Sequence, residues 1–590
     1  MTVSGTGAAM TVSGTGAVLR TRWLGTVPYA DALALQRGFH RSATGLLADG
    51  VLADDRLLLL EHPHTYTLGR NADHGHVLVQ PDSVGAQLVE VDRGGDVTYH
   101  GPGQLVAYPL VTLADHRGRS VLDGGVVANM GWVTLLEAVL IDTLEFFGIA
   151  ADRRDGFPGV WVGGDRAKVA AVGVRVERGR TLHGVALNVD PDLSMFDHIV
   201  PCGITDCGVT SMRSEGSDAT MPEVVDAFTE AFVARWMPLS HERADVVWRR
   251  ESDGDTDLSP FSRGMGPGAP ASSSRRSTRG TSVRLLGRLA EAGVTEAVDI
   301  TDRKPEWMRS RVRHDPTVMG LKHTMADLDL VTVCEEAGCP NLSECWSAGT
   351  ATFMVNGQRC TRKCGFCLVD TRKPAPPDPG EPARVAEAVD RMGLNFVVVT
   401  TVARDDLPDE GAGHMAATVE AIRSRCPATS VEVLISDCRG RAEPLTTIFD
   451  SRPDVCNHNL ETVARLQRAV RPSAGYARSL SVLARSVEAG LTTKSGLVVG
   501  MGETRDEIAA ALADLAAVGV SIVTIGQYLR PTSHHLPVAK WWTPADFDEF
   551  ARIGVELGIG HVESSPFTRS SYHAESSAAA LSGDVPATGT

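Results

Sequence analysis

A chain of 590 residues exceeds what one hydrophobic core can organise, so at least two domains are expected. Its 43% hydrophobic and 22% charged content is ordinary for globular protein, and a net charge of −16 offers no basic field for nucleic acid. No run reaches the roughly 18 apolar residues of a membrane-spanning helix, and the N-terminal stretch lacks the basic and apolar regions of a secretory signal. The expected setting is the cytoplasm, with neither membrane nor nucleic acid as partner.

The chain opens on "MTVSGTGA", Ala9 and "MTVSGTGA" again, a small polar repeat that cannot build a core. Residues 1–19 read as a disordered leader, with Met10 an alternative start. From 20 to 250 the pattern is α/β. "RLLLLEHPHTYTLG" and "AKVAAVGVRVERGRTLHGVALNV" carry the short apolar, β-rich runs of buried strands, while "NMGWVTLLEAVLIDTLEFFG" has helical spacing and a C-cap at Gly148. "PEVVDAFTEAFVARWMP" reads as a second amphipathic helix. Residues 251–282 have the Gly, Ser, Pro and charge content of a flexible linker. In 283–590, β-rich runs ("NFVVVTT", "SVEVLIS", "DVCNHN", "KSGLVVGMGET", "VSIVTIGQY") alternate with helical stretches, as in βα units around a parallel sheet or partial barrel. Polar residues follow those runs: Thr400, Thr401, Ser436, Asp437, Asn457 to Asn459, Glu503 and Gln527. Sites in βα barrels lie at that end.

Six of the eleven cysteines fall between 334 and 367, as C-x4-C-x5-C (Cys334, Cys339, Cys345) and C-x3-C-x2-C (Cys360, Cys364, Cys367). Clustered thiols in a reducing compartment favour metal or catalytic roles. Structural zinc takes four ligands, often from two Cys-x-x-Cys knuckles, and neither triplet completes a tetrahedron. Two incomplete triplets suit two iron–sulfur cubes, each leaving one iron for another ligand. A zinc or iron–sulfur sensor is the non-enzymatic alternative. Cys426, Cys438 and Cys456 lie in or beside apolar runs and read as small core residues.

C-x3-C-x2-C resembles the motif of the radical S-adenosylmethionine enzymes. Taken with "CEEAGCPNLSEC", "RDDLPDEGAGH", "NHNLET", "SGLVVGMGET", "IGQYLRPTSHHLPV" and "RSSYHA", residues 300–575 resemble the lipoyl synthase family. The resemblance implies a radical S-adenosylmethionine partial (β/α) barrel with two 4Fe-4S clusters. Cys360, Cys364 and Cys367 would hold the one that binds S-adenosyl-L-methionine. Cys334, Cys339 and Cys345 would hold an auxiliary sulfur donor whose fourth ligand is Ser571, or else Ser570. An oxygen ligand is harder than thiolate and matches a cluster iron poorly, which suits a cluster that must give up sulfur. The substrate implied is a protein-bound octanoyl chain, which receives sulfur at carbons 6 and 8. Its C–H bonds offer no acid–base route, hence the radical cofactor. An electron donor such as ferredoxin or flavodoxin is expected.

In the first half, "RGGDVTYHGPGQLVAYPL" carries Gly94, Gly95, Gly101 and Gly103 around a polar turn, and glycines there permit close backbone approach to a ligand. "IVPCGITDCGVTS" holds Cys202 and Cys207, and a nearby ammonium such as Lys168 would lower a thiol pKa. Together with "AKVAAVGVRV", "HGVALNV" and "VPCGI", residues 20–240 look like an octanoyl–acyl carrier protein:protein octanoyltransferase. That implies the mixed-sheet α/β fold of biotin and lipoate ligase catalytic domains. By the same resemblance, Cys202 is the acyl-thioester nucleophile and Lys168 its activator. The implied acyl pocket is Arg93, Gly94, Gly95, Asp96, Val97, Thr98, Tyr99 and His100 with Ala171, Val172, Gly173, Gly184, Val185 and Ala186. The implied partners are octanoyl-acyl carrier protein and the lipoyl domains of 2-oxoacid dehydrogenases or glycine-cleavage H protein. A lipoate ligase-like or inactive first domain is the alternative.

Overall fold

The computed structural model describes residues 18–113, 128–163, 167–200, 208–246, 286–299, 302–308, 323–332, 341 and 350–582. Cys202, Cys207, Cys334, Cys339, Cys345 and the expected linker lie outside the described residues. The chain separates into two compact units, Met1–Trp248 and Arg249–Thr590. Among the described residues no helix is long and apolar enough to cross a membrane.

The first unit begins with β1 (Leu19–Thr26), so Leu19, assigned to the leader on sequence, is instead a fully buried strand residue. Then follow α1 (Tyr29–Ala48), β2 (Asp55–Glu61), β3 (Thr65–Leu68), β4 (Gln87–Glu90), β5 (Val97–His100) and β6 (Gln104–Leu110). After α2 (Ala128–Phe146) come β7 (Ala151–Arg154), β8 (Phe157–Val162), β9 (Ala167–Glu177), β10 (Arg180–Asn188), β11 (Gly208–Val209), α3 (Met221–Trp236) and β12 (His241–Arg243). The large sheet runs β12-β1-β2-β6-β10-β9-β8-β7, with β11 beside β9. β1 is parallel to both its neighbours and the β2-to-β7 ladders are antiparallel, the mixed sheet that the family resemblance implies. α2 ends as expected at Gly148, whose φ of +75° is left-handed. Trp132, Leu136 and Val139 of α2 and Phe228, Phe232 and Trp236 of α3 fill one core with the sheet. A separate sheet, β4-β3-β5, has its own small core of Tyr66, Leu68, Val97, Tyr99, Met195 and Phe196.

The second unit is built on seven parallel strands in chain order. They are β13 (Thr350–Val355), β14 (Phe396–Thr401), β15 (Ser430–Leu434), β16 (Val455–Asn457), β17 (Thr492–Val499), β18 (Ile522–Gln527) and β19 (His561–Ser564). The crossovers include α4 (Glu381–Met392), α5 (Ala412–Arg425), α6 (Ala442–Asp450), α7 (Tyr476–Glu488), α8 (Arg505–Ala517) and α9 (Pro544–Glu556), and the last described helix is α10 (Ala574–Ser582). Alternation along the strands sorts the two faces. Val397, Val399, Val431, Val433 and Cys456 pack outward onto Val385, Val389, Met415, Val419 and Ile422 of α4 and α5. Phe396, Val398 and Val455 turn inward, where Ala574 of α10 covers them. Because every strand points the same way, all the strand-end polar residues lie on one side of the sheet.

Candidate active sites

In the first unit an open pocket lies against β5, β9 and β10, enclosing about 460 Å³ when its mouth is counted. The two sequence triplets that line it are cross-strand partners in the β9–β10 ladder: Gly184 opposite Gly173, Val185 opposite Val172, Ala186 opposite Ala171. Small residues at four of these six positions leave room that larger side chains would fill. Along β5, Thr98 and His100 face the pocket, whereas Val97 and Tyr99 face the small core. Asp96 is turned to His76, whose Nδ1 it accepts, and to the Val97 amide. Three residues of the predicted Arg93–His100 lining therefore do not line this pocket: Val97 and Tyr99 because a strand sends alternate side chains to opposite faces, and Asp96, just before β5, because its carboxylate is engaged by His76 and the Val97 amide.

Arg93, Gly94 and Gly95 do line it. The Arg93 guanidinium donates to Thr67 Oγ1 and O at 2.8 Å, so its charge is held in place rather than swinging free. Gly103 approaches protein rather than ligand: with φ at +83°, any Cβ there would run into the Asp190 carbonyl. Tyr29, Val106, Tyr108 and His183 complete the wall. Sequence reasoning did not assign them to the pocket, although Val106 and Tyr108 lay inside the quoted "RGGDVTYHGPGQLVAYPL" and His183 inside "HGVALNV"; Tyr29 alone lay outside every quoted motif. Burial pushes His100 well below the ordinary imidazole value and Tyr29 up to about 12, so both are neutral. The pocket floor is polar in places but carries little mobile charge, which suits an acyl chain.

Lys168 sits on β9, its Nζ donating to the Pro158 carbonyl at 3.1 Å and lying 4.8 Å from the Trp161 ring centre. The chain on both sides of residues 201–207 is anchored. Val200 donates to His76 O at 2.8 Å, and on the far side Val209 is registered opposite Lys168, with Thr210 N donating to Lys168 O at 3.0 Å.

In the second unit the loop after β13 carries Cys360, Cys364 and Cys367, none in a disulfide. It is tied down by backbone bonds from Thr361 N to Ala403 O (3.0 Å), Gly365 N to Val470 O (2.8 Å) and Leu536 N to Gly365 O (3.0 Å). His535 Nε2 donates to Cys367 O at 2.9 Å, so the "RPTSHHLPV" segment grips the cysteine loop. Arg362, buried between two of the cysteines, donates to both oxygens of Asp405 and to Asp437 at 2.7 Å, joining the loop to the ends of β14 and β15.

These residues fit an iron–sulfur cluster. Burial raises the Cys364 thiol and pushes Cys367 up to about 12, so their thiolates need a cation beside them. The Arg362 amide donates to Cys360 Sγ at 3.4 Å, the type of bond that tunes cluster sulfur. Among the described residues no three His, Cys, Asp or Glu side chains converge as ligands of a single ion would. A cube takes its cysteines on separate irons and requires no such convergence.

Around the strand ends, several buried polar atoms have no hydrogen-bond partner among the described residues, including Asn459 Oδ1, Asp437 Oδ2 and Arg471 Nε. Orphaned groups in one place mark a ligand's seat. Glu503 is spent otherwise: its Oε2 accepts from the Gly500 and Met501 amides, both at 2.8 Å, and from Gly502 at 3.2 Å, closing its own turn. Gln527 likewise holds Lys540 O and the Trp542 amide.

The "RSSY" tail reaches this end as well. Asn459 Nδ2 donates to Ser570 Oγ at 2.6 Å, while no hydrogen bond of the Ser571 hydroxyl is found among the described residues. Asn341, two positions past Cys339, donates its Nδ2 to Phe567 O at 2.6 Å. This bond ties Asn341, the one described residue between Cys334 and Cys345, to the segment just before the serine tail. Cys438 and Cys456 are buried and Cys426 half-buried against the outer core, as the sequence predicts.

Comparison with known proteins agrees with this division. Residues 28–233 match the family model described as the lipoyl protein ligase A/B catalytic domain, and residues 354–515 the radical SAM superfamily. A lipoyl synthase of Rubrobacter xylanophilus is 52% identical over 273 residues, 46% of this chain and 85% of that protein. One from Mycolicibacterium paratuberculosis is 51% identical over 287 residues, covering 49% and 94%. A solved bi-partite lipoate protein ligase of Thermoplasma acidophilum superposes with a TM-score of 0.30 at 18% identity, over 40% of this chain and 88% of that one. The radical SAM match implies S-adenosylmethionine and 4Fe-4S chemistry in the second unit. This chain belongs to the lipoyl synthase family through its second half, and carries ahead of it a domain of the lipoyl protein ligase A/B catalytic type.

Proposed function

We propose that the two units perform consecutive steps of lipoate assembly. The first transfers octanoyl from acyl carrier protein to a lysine of a lipoyl domain or H protein, and the second inserts sulfur at carbons 6 and 8 of that chain. The observation that carries this reading is one chain holding both a small-residue pocket in a ligase A/B-type domain and a lipoyl synthase-family half. Neither half predicts the other, and the product of one is the substrate of the other.

In the first step Cys202 is the acyl-thioester nucleophile and Lys168 the group that favours its thiolate. Supporting this, Cys202 stands two residues from the anchored Val200, and Lys168 adjoins the anchored Val209–Thr210. Arg93, Gly173 and Gly184 shape the acyl pocket, with His100 kept uncharged.

In the second step Cys360, Cys364 and Cys367 hold the cluster that receives S-adenosylmethionine, and Cys334, Cys339, Cys345 and Ser571 hold an auxiliary cluster. When bound, these groups supply hydrogen abstraction from unactivated C–H bonds and the sulfur that replaces it. Asn459 occupies the Ser570 hydroxyl, which leaves Ser571 the better-placed ligand. Arg362 keeps the cysteine loop on the strand ends.

The test is air-free turnover with octanoyl-acyl carrier protein, an unmodified lipoyl domain, S-adenosylmethionine and a reductant, read as acceptor mass and released 5′-deoxyadenosine. Cys202→Ala should stop octanoylation yet still convert a pre-octanoylated acceptor. Cys364→Ala should let octanoylated acceptor accumulate. Intact protein should carry about eight irons as two cubes. Full octanoyl transfer by Cys202→Ala, or transfer from free octanoate with ATP, would put a ligase in place of the transferase. No deoxyadenosine from reduced protein with octanoylated acceptor would end the synthase reading.

A further inference from the structure

Two of the three cysteines in the C-x3-C-x2-C loop have exposed neighbours that the interior chemistry does not use. Lys363 precedes Cys364, and Leu368, 41% exposed, follows Cys367. Arg372 and Lys373 continue the exposed face, and the Arg359 side chain is 40% exposed. Between 359 and 377 the one acidic residue is Asp370, which both Arg359 (3.2 Å) and Arg372 (2.7 Å) engage. Arg362 is not part of this surface, since it is buried against Asp405 and Asp437. Along residues 359–377 four outward cations stand against one carboxylate, opposite in sign to the chain's net charge of −16.

We propose that this basic stretch, in which Leu368 is also exposed, docks an acidic one-electron carrier protein. The inference rests on the reading that the second unit cleaves S-adenosylmethionine reductively. Each cleavage consumes one electron from outside the chain. The carrier is oxidised by one electron and the cluster reduced by one, with no bond or proton moved in the transfer. Electrons must arrive at the cysteine loop itself, and the basic stretch is made of the residues flanking its ligands. An acidic carrier is repelled by the chain's overall charge and attracted at this stretch, so electrostatic steering concentrates encounters there. The octanoylated acceptor presents its chain on a long lysyl arm and has no comparable need to sit on the ligands' own loop.

The experiment uses the full-length, cluster-loaded enzyme and the Arg372→Glu/Lys373→Glu variant, with Lys373→Gln as a milder second variant. Iron content and the visible spectrum establish that the cluster is retained. Initial rates of 5′-deoxyadenosine release are measured with a purified, pre-reduced acidic flavodoxin and, separately, with dithionite. With flavodoxin at low salt the double variant should be slower by about ten-fold or more, and with dithionite within about two-fold of the parent. Added salt should slow the parent and hardly affect the variant. A flavodoxin-driven rate unchanged by the double substitution overturns the proposal. So does a raised KM for octanoylated acceptor under dithionite, which would assign the basic stretch to the acceptor. Failure of the parent itself to release deoxyadenosine with dithionite would instead strike the underlying reading.

Discussion

Replacing Lys494 by Met removes half of an ion pair sealed inside the second unit. Lys494 Nζ lies 3.0 Å from Glu432 Oε2 with both side chains at 0% exposure, and Asn457 Nδ2 donates to Glu432 Oε1 at 2.8 Å. The three residues sit on β17, β15 and β16, so a single carboxylate joins three adjacent strands on the sheet's inner face. Lys494→Met leaves that carboxylate buried with one amide donor. Breaking a buried pair on one side costs about 3–5 kcal/mol, which at roughly 2 °C per kcal/mol for a unit this size lowers its Tm by about 6–10 °C. The chain has two units and does not unfold in one step, so calorimetry must follow the second unit's transition separately. Adding Glu432→Leu removes the stranded charge. The double variant should then recover to within about 2 kcal/mol of the parent, the residue being the orphaned Asn457 amide. A single substitution costing under about 1 kcal/mol would refute the reasoning, as would a double variant whose loss equals the sum of the singles.

Three further outcomes are expected. Ala171→Leu narrows the first unit's pocket, so on the proposed acyl-binding role preference should move toward shorter chains. Losing two buried methylenes, at about 0.8 kcal/mol each, shifts the octanoyl-to-hexanoyl kcat/KM ratio by roughly 15-fold, and an unchanged ratio would take the acyl chain out of this pocket. Burial lowers His62 to about 4, so the folded protein refuses a proton that the unfolded chain accepts at the ordinary 6.5. Stability from this group is whole above pH 6.5 and lost as pH falls toward 4. At pH 5 the loss is about 2 kcal/mol, and urea unfolding of the first unit should show that increment missing in His62→Phe. Gly526 leaves space for the Thr568 carbonyl, which a Cβ would strike. Gly526→Ala should displace the serine tail and lower iron content toward one cube, with the cysteine-loop cluster retained.

The strands of the second unit were legible where β-branched runs end at polar residues, as in "NFVVVTT" for β14 and "SVEVLIS" for β15. β19 was not. "HVES" is half-buried throughout and carries two ionisable groups in four residues, so no apolar run announces it. β1 and α1 also went unread, because "LRTRWLGT" interleaves arginines whose charges are met only in three dimensions, by Asp54 and Glu242. At the acyl pocket the two triplets were named from a resemblance, and the ladder explains why they belong together. Tyr29 reaches the same wall from α1, some sixty positions before Arg93, which no spacing rule captures. Arg362 illustrates the same limit: a residue between two cysteines invites a role toward the metal, yet its partners lie 43 and 75 positions away.

The covering of the inner face by Ala574 has a consequence for biosynthesis. Chains fold domain by domain as they leave the ribosome, and the first unit is complete before translation reaches residue 249. The second cannot cover its inner face until the last described helix, α10, has emerged. A nascent molecule therefore passes through a stage in which the upstream unit is complete while its downstream neighbour still exposes Phe396, Val398 and Val455.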